Sequence, residues 1–409
     1  MLGELVKNLK KSDQSVVLYG AGVVGEMCAY AFKENQIKIN FFCDSDKKKQ
    51  SKSHAGIKIL SPIELESLGK NTNIFISNNY YSFLKKELKE KGFKNIYDCS
   101  SFLNNADFSK SNLSINPLKI ERWIAFYNAM VKKEIFKQEG KLYVKSLDVQ
   151  ITEKCSLGCK DCSNLMQYYS KAKDSDLDIL MNSIKRFMDC VDQIYEFRVL
   201  GGDPFMNKNM HKIINFLSEY EKVNTIAIYT NARFIPKGDN FECLKNPKVI
   251  LDISDYVLID QDKRKADELI EVLKKNNIKY NLARMSVWSD SGRILPFKKR
   301  SEDEKRHLFN YCCNSDIISL LHGKLYRCPF SANATNLKAI PVDNSDIVDL
   351  NNNSITLANL KKQIHNLVYE KKYLTACNFC NGRDFSTKKI EAATQKPSIT
   401  KPLDFKVYN

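Results

Sequence analysis

The chain has 409 residues, 43% hydrophobic and 27% charged, with 13 cysteines and a formal net charge of +16. This composition excludes a disordered, collagenous or small disulfide-scaffold protein, and at about 150 residues per domain the length allows two or three domains. No run reaches the roughly 18 apolar residues of a bilayer span, and Glu4, Lys7, Lys10 and Lys11 stand where a signal peptide needs its apolar core. The expectation is therefore a cytoplasmic protein with no membrane span. The lysines are scattered, with only short clusters at Lys47–Lys49 and Lys298–Arg300, so a solvated basic surface is favoured and nucleic acid is the minority reading.

In chain order, Ser15–Tyr19 is a short apolar run leading into Gly20-Ala21-Gly22-Val23-Val24-Gly25 and a helical pattern carrying Met27, Tyr30, Ala31 and Phe32. This reads as strand, glycine turn, helix. A second apolar stretch, Ile37–Cys43, ends at Asp44, about 20 residues past the turn, where dinucleotide-binding folds place the acid that holds a ribose. Ile57–Leu60, Asn73–Ser77 and Asn95–Tyr97 are further strands, with a helix over Tyr81–Lys91. Residues 1–104 are thus expected to form a Rossmann-like unit. Asn104–Pro117 is Asn- and Ser-rich without periodicity, and Ile120–Glu139 is an amphipathic helix, so 105–140 reads as linker and helix.

From Val144 onward strands and helices alternate: Ser146–Ile151, Leu177–Val191, Phe197–Leu200, Met210–Tyr220, Thr225–Tyr229, Val249–Leu258, Ala266–Asn276, Tyr280–Val287. This is a parallel βα repeat. Five or six units fit, fewer than the eight of a full barrel. Past Arg383, Lys388, Lys389, Lys396, Pro397, Lys401 and Pro402 stand without periodicity, so 386–409 is expected to be a flexible tail.

Thirteen cysteines in a reducing compartment point to metal rather than disulfides. Cys155, Cys159 and Cys162 fall on the loop after the first strand of the repeat. Three soft thiolates on one loop leave a cubane iron without a protein ligand, whereas a structural zinc would want a fourth ligand nearby. An open iron implies an exogenous ligand, hence catalysis. The five histidines (His54, His211, His307, His322, His365) form no ligand pattern, and no nucleophile-plus-base signature supports a hydrolase.

The CxxxCxxC loop after the first strand of a βα repeat resembles the radical S-adenosylmethionine superfamily over roughly residues 145–385. The resemblance implies a 4Fe-4S cluster on Cys155, Cys159 and Cys162 whose fourth iron is chelated by S-adenosylmethionine. Reductive cleavage then yields a 5′-deoxyadenosyl radical that abstracts a substrate hydrogen, with electrons from a flavodoxin- or ferredoxin-type donor. One departure is Asp161, where the family carries an aromatic residue before the third cysteine. Gly201-Gly202-Asp203 resembles the family's Gly-Gly-Glu motif, which implies binding of the methionine end. Tyr229-Thr230-Asn231-Ala232 resembles its Thr-Asn-Gly motif. Asp252, Ser254, Arg284 and Ser286 sit where the family places ribose and carboxylate contacts.

Cys312-Cys313, Cys328 and Cys377-Asn-Phe-Cys380 offer four thiols to a second site, and by spacing alone a zinc ribbon is equally good. Following this core, the arrangement resembles a twitch-type (SPASM-like) auxiliary domain holding a second 4Fe-4S cluster. Its expected ligands are Cys313, Cys328, Cys377 and Cys380, with Cys312 the alternative to Cys313. The spare thiol, either Cys312 or Cys313, reads as a buried bystander or, as Cys312, as a hydrogen donor to a substrate radical.

The expected fold is α/β: a Rossmann-like domain, a partial (β/α)6 TIM-type barrel over 141–300, and a small auxiliary-cluster domain over 301–385. The N-terminal region also resembles Rossmann-like domains attached to sugar-nucleotide and polysaccharide enzymes. That implies a nucleotide-linked sugar as substrate, its diphosphate at Gly20, Gly22 and Gly25 with Asp44 alongside, and epimerisation, oxidation or deamination as the reaction. The competing readings are modification of a ribosomally made peptide and a non-enzymatic iron-sulfur sensor.

Overall fold

The computed structural model describes residues 2–78, 80–113, 115–258, 264–384, 386–398 and 401–408. The chain divides into two compact units, Met1–Gln138 and Glu139–Asn409.

The first unit runs α1 (Leu2–Lys11), β1 (Val16–Tyr19), α2 (Val23–Glu34), β2 (Phe41–Cys43), β3 (Ser53–His54), β4 (Ile57–Leu60), α3 (Pro62–Ser67), β5 (Asn73–Ile76), α4 (Tyr81–Glu90), β6 (Asn95–Asp98), α5 (Ser100–Leu103) and α6 (Pro117–Gln138). Its strands order β3-β4-β2-β1-β5-β6, parallel except for β3. The apolar runs of β1 and β5 are buried throughout because helices cover both faces of a parallel sheet. Chain order reverses between β1 and β5, which opens a crevice at their carboxyl ends, where α/β sheets bind ligands. The expected boundary at 104 moves. The Tyr127 hydroxyl of α6 accepts from the Cys99 N–H at 3.0 Å and donates to the Ile76 carbonyl, and its ring is buried in this unit's core. The helix read as a connector is thus part of the first unit.

The second unit runs β7 (Tyr143–Thr152), α7 (Leu177–Cys190), β8 (Gln193–Gly201), α8 (Met210–Ser218), β9 (Val223–Thr230), α9 (Asp239–Glu242), β10 (Val249–Tyr256), α10 (Ala266–Lys275), β11 (Tyr280–Met285), β12 (Val287–Ser289), α11 (Glu302–Tyr311), β13 (Ile317–Leu321), β14 (Lys324–Tyr326), α12 (Pro329–Asn336), β15 (Ile347–Asp349), α13 (Leu357–His365) and β16 (Lys389–Glu391). The helix starts are written in the sequence: the Asp176 carboxylate accepts from the Ile179 N–H ahead of α7, and Ser301 with Glu304 forms a capping box on α11. The strands order β11-β10-β9-β8-β7-β13-β14-β15. β7 to β11 and β13 are mutually parallel. The sixth parallel strand thus flanks the first rather than the fifth. It continues into an antiparallel hairpin, so the sheet runs through the expected domain break at 300.

The tail is also not free. β16 pairs with β12, Leu403 N–H donates to the Gln167 carbonyl, and the Phe405 ring meets Tyr168 edge-on. Apolar residues dispersed among lysines and prolines anchor it where composition alone reads as disorder. No helix among the described residues is long and apolar enough to cross a membrane.

Candidate active site

Strand periodicity builds the site. Along β7, Leu147, Val149 and Ile151 pack into the helix-covered core. The alternating Ser146, Asp148, Gln150 and Thr152 face the other way, yet each is at most 2% exposed. On neighbouring strands Glu196, Arg198, Tyr229, Asp252 and Asn281 share that polar face. Arg198 Nε lies 3.3 Å from Asp148, its guanidinium stacks 4.7 Å over the Tyr229 ring, and the Asn281 amide donates to Asp252 at 3.0 Å. Burial outweighs the pull of Arg198 and lifts the Asp148 carboxyl to about 6.

The cysteine loop leaves the carboxyl end of β7. Thr152 Oγ1 donates to Asp174 at 2.7 Å, and Lys154 pairs with the same carboxylate at 2.7 Å. Burial raises all three thiols of Cys155, Cys159 and Cys162 and carries Cys159 to about 12; as lesser causes Cys159 and Cys162 raise Cys155, and Cys162 raises Cys159. Buried thiols keep their protons unless a cation replaces them. Their surroundings fit thiolates. Asn231 Nδ2 points at Cys155 Sγ from 3.7 Å, Gln395 Nε2 at Cys159 Sγ from 3.5 Å, and backbone N–H groups of residues 164–166 face Cys162. Burial first, and then the nearby Cys159, Cys162 and Cys155, push up the Tyr256 hydroxyl at the end of β10, which bonds Ser254. Three clustered soft donors, each met by N–H groups, suit an iron-sulfur cluster.

The Gly-Gly-Asp turn is built for close packing. A Cβ on Gly201, whose φ is +152°, would lie 2.0 Å from the Thr152 carbonyl oxygen, and one on Gly202 2.0 Å from that of Lys154. Gly202 N–H and Asp203 N–H donate to those same oxygens at 2.8 Å. The turn thereby fixes the start of the cysteine loop. Asp203, expected at the methionine end, is buried and accepts from Phe205 N–H (3.0 Å), Thr230 Oγ1 (3.0 Å) and Asn231 N–H (2.8 Å). Burial nonetheless raises it to about 6. Asp203 and Thr230 therefore aim Asn231 at Cys155. Arg284 is 58% exposed and engages Asp255 and Asp267, and Ser286 is exposed with its carbonyl accepting from Ala392 N–H. Asp161, in place of the family's aromatic, pairs with Arg293. That pairing draws the Gly292 segment so near that a Cβ there would lie 1.8 Å from the Asp161 carbonyl oxygen.

In the second group, Cys380 lies close enough to raise Cys312, Cys328 and Cys377, and Cys312, itself raised by adjacent Cys313, to raise Cys328 and Cys377. Cys313 is exposed, its thiol donating to Asn314 Oδ1 at 3.8 Å and its N–H to the Arg383 carbonyl at 3.0 Å. Of the two candidates for the fourth place, Cys312 is the one turned toward Cys328, Cys377 and Cys380, and Cys313 is the one turned to solvent. Spacing could not separate adjacent residues; the turn after α11 does. The positive charge of Arg383 favours the ionised forms of Asp148, Cys162, Cys312 and Cys380, so it lies near the polar face and both cysteine groups, and sequence reading missed it as it missed Tyr256, Arg198 and Gln395. Among the described residues no three His, Cys, Asp or Glu side chains are set around a single ion.

In the first unit, Gly20 and Gly25 are fixed by packing: a Cβ on Gly25 would sit 2.0 Å from the Gly20 oxygen, and one on Gly20, at φ +130°, 2.7 Å from that of Ser77. Gly22 caps α2 and faces open space. Asp44 accepts from Ala21 N–H and Lys49 Nζ, each at 3.0 Å, and from Asp46 N–H at 2.9 Å. Its carboxylate braces the glycine turn from within.

Comparison with known proteins agrees with this geometry. The C2185-like N-terminal family matches residues 12–96, and the 4Fe-4S single cluster domain matches residues 138–280. The chain is 28% identical to the GTP 3′,8-cyclase of Campylobacter lari over 93 residues, covering 22% of this chain and 28% of that one. With the Helicobacter pylori enzyme of the same name it is 23% identical over 176 residues, covering 41% and 52%. The chain thus spans between about a quarter and a half of the length of these relatives. The solved structure of BtrN with AdoMet and 2-DOIA aligns over 63% of this chain and 98% of its own at 14% identity and a TM-score of 0.38.

A parallel α/β sheet with a thiol-rich loop at the carboxyl end of its first strand, matched by a 4Fe-4S domain, defines an iron-sulfur protein. The 4Fe-4S domain match and the partial similarity to the GTP 3′,8-cyclases accord with the resemblance to the radical S-adenosylmethionine superfamily, whose members use a 4Fe-4S cluster and S-adenosylmethionine.

Proposed function

We propose that this radical S-adenosylmethionine enzyme modifies a polyhydroxylated substrate, a nucleotide-linked sugar, at a ring carbon by epimerisation, oxidation or deamination. The carrying observation is the buried polar face of the sheet beside the cysteine loop. Asp148, Glu196, Arg198, Asp252 and Asn281 offer donors and acceptors that suit hydroxyl groups and not an apolar side chain. Bound together, the cluster and S-adenosylmethionine supply a 5′-deoxyadenosyl radical able to take a hydrogen atom from carbon.

The chain's own residues prepare for it. Cys155, Cys159 and Cys162 hold the first cluster, leaving one iron for S-adenosylmethionine. Asn231, aimed by Asp203 and Thr230, donates to Cys155. Ser254 and Tyr256 close the carboxyl end of β10 over the three sulfurs. Cys312, Cys328, Cys377 and Cys380 hold a second 4Fe-4S cluster, and Arg383 places a positive charge toward both. The turn at Gly20, Gly22 and Gly25 is the part of the first unit suited to a diphosphate, with Gly22 leaving the N-terminus of α2 open. A flavodoxin- or ferredoxin-type protein donates the electron.

The test is 5′-deoxyadenosine formation by anaerobically reconstituted, reduced protein with S-adenosylmethionine, alone and with nucleotide sugars. GTP joins the panel because the curated relatives are named for it. Stimulation by a nucleotide sugar supports the proposal. Stimulation by GTP alone, or by none of the panel, overturns the sugar assignment.

A further inference from the structure

We propose that Gln395 is a positioning residue for the S-adenosylmethionine-binding cluster: its side-chain amide donates a hydrogen bond to the sulfur of Cys159, and the segment Thr394–Lys396 clamps the cysteine loop. The inference rests on the assignment of Cys155, Cys159 and Cys162 as cluster ligands. The geometry points to it in three ways.

The clamp is a short antiparallel pairing between segments more than 230 residues apart. Cys159 and Gln395 form the bridge, Lys160 N–H donates to the Thr394 carbonyl at 2.8 Å, and Lys396 N–H to the Gly158 carbonyl at 2.7 Å. The middle of the three-cysteine loop, otherwise without a ladder partner on this side, is thereby held as an extended strand.

The amide of Gln395 has one orientation. Oε1 accepts from Gly158 N–H at 2.8 Å, while Nε2 donates to the Ala393 carbonyl at 2.5 Å and to Cys159 Sγ at 3.5 Å. A flipped amide would set an oxygen against a carbonyl and a sulfur, and an NH2 against an N–H. All of its hydrogen-bonding capacity here is satisfied only with a proton aimed at the sulfur.

The turn that delivers it is specific. Ala393 adopts φ +56°, in the left-handed region that non-glycine residues seldom occupy. Ala392 and Ala393 are buried at 1% and 0% exposure, so the strained turn is held by packing.

An N–H donor on a cluster thiolate stabilises the more negative, reduced cluster and raises its potential. The experiment is an EPR-monitored redox titration of the reconstituted full chain, the relevant cluster being the one whose spectrum changes on adding S-adenosylmethionine. Gln395→Leu, which removes the donor at similar volume, should make reduction about tenfold less favourable, a fall of about 59 mV for one electron. Gln395→Glu keeps the acceptor for Gly158 N–H but sets a negative charge by the sulfur, and should lower the potential at least as far. A full cluster with unchanged potential in both variants overturns the inference. Should the variants lose the cluster, 15N-glutamine labelling of the unaltered protein decides: a 15N coupling in the pulsed EPR spectrum of the reduced cluster is expected, and its absence overturns the assignment. Unaltered protein that binds no such cluster would instead refute the cysteine assignment itself.

Discussion

At the scale of single residues, adjacent side chains part company. Cys312 lies with Cys328, Cys377 and Cys380, while Cys313 is turned to solvent. Cys312→Ala should therefore lose the second cluster, about half the iron of a chain holding two four-iron clusters, and Cys313→Ala should keep all of it; iron and sulfide analysis after reconstitution checks both. Asp148 offers a second test. Its folded pKa of about 6 stands above the ordinary carboxylate value of about 3.9 because burial exceeds the attraction of Arg198. The folded protein keeps a proton that the unfolded chain releases. The resulting stabilisation is fully present below about pH 4 and disappears as pH rises through 6, a difference on the order of 2–3 kcal/mol. Denaturant unfolding between pH 4.5 and 7 should show this loss of stability, with a shallower slope in Asp148→Asn.

Elements show why some of the site was readable and some was not. The 3.6 and 2.0 periodicities reveal the repeat, and the CxxxCxxC and Gly-Gly-Asp motifs mark the ends of β7 and β8, because those signals lie within a few residues of one another. The glycines also have a packing role that the motif does not announce. Gly201 and Gly202 let the β8 turn lie against residues 152–155, a fact of backbone contact that no local pattern contains. Gly202→Ala should destabilise by roughly 2–3 kcal/mol, since its Cβ meets backbone and cannot be relieved by a rotamer change. Thermal unfolding of the variant, with iron content lowered in parallel, checks this.

For the whole molecule, the first unit has its own core and its own closing helix. Tyr127, fully within that core, ties α6 to β5 and to the start of α5. A fragment of residues 1–138 should therefore unfold cooperatively by circular dichroism. A fragment ending at 104 should be destabilised by about 3–5 kcal/mol, the usual cost of removing a large buried aromatic, or fail to fold.

The sequence by itself determined the local part of this protein: the glycine turn after β1, the alternation of strands and helices, and the two groups of cysteines. Each depends on residues near one another in the chain, where periodicity, turn chemistry and ligand spacing act. Only the tertiary structure decided that Cys312 is turned toward Cys328, Cys377 and Cys380 while Cys313 is exposed, that Asp203 accepts from the Asn231 N–H, that Tyr256 and Arg383 lie near the cysteines, and that the C-terminal segment pairs with the first cysteine loop. Those outcomes join residues far apart in sequence, from Asp203 with Asn231, 28 positions apart, to Cys159 with Gln395, 236 positions apart. They depend on which buried polar group finds a partner once the sheet has formed, and that is settled by packing and desolvation across the fold rather than by any local pattern.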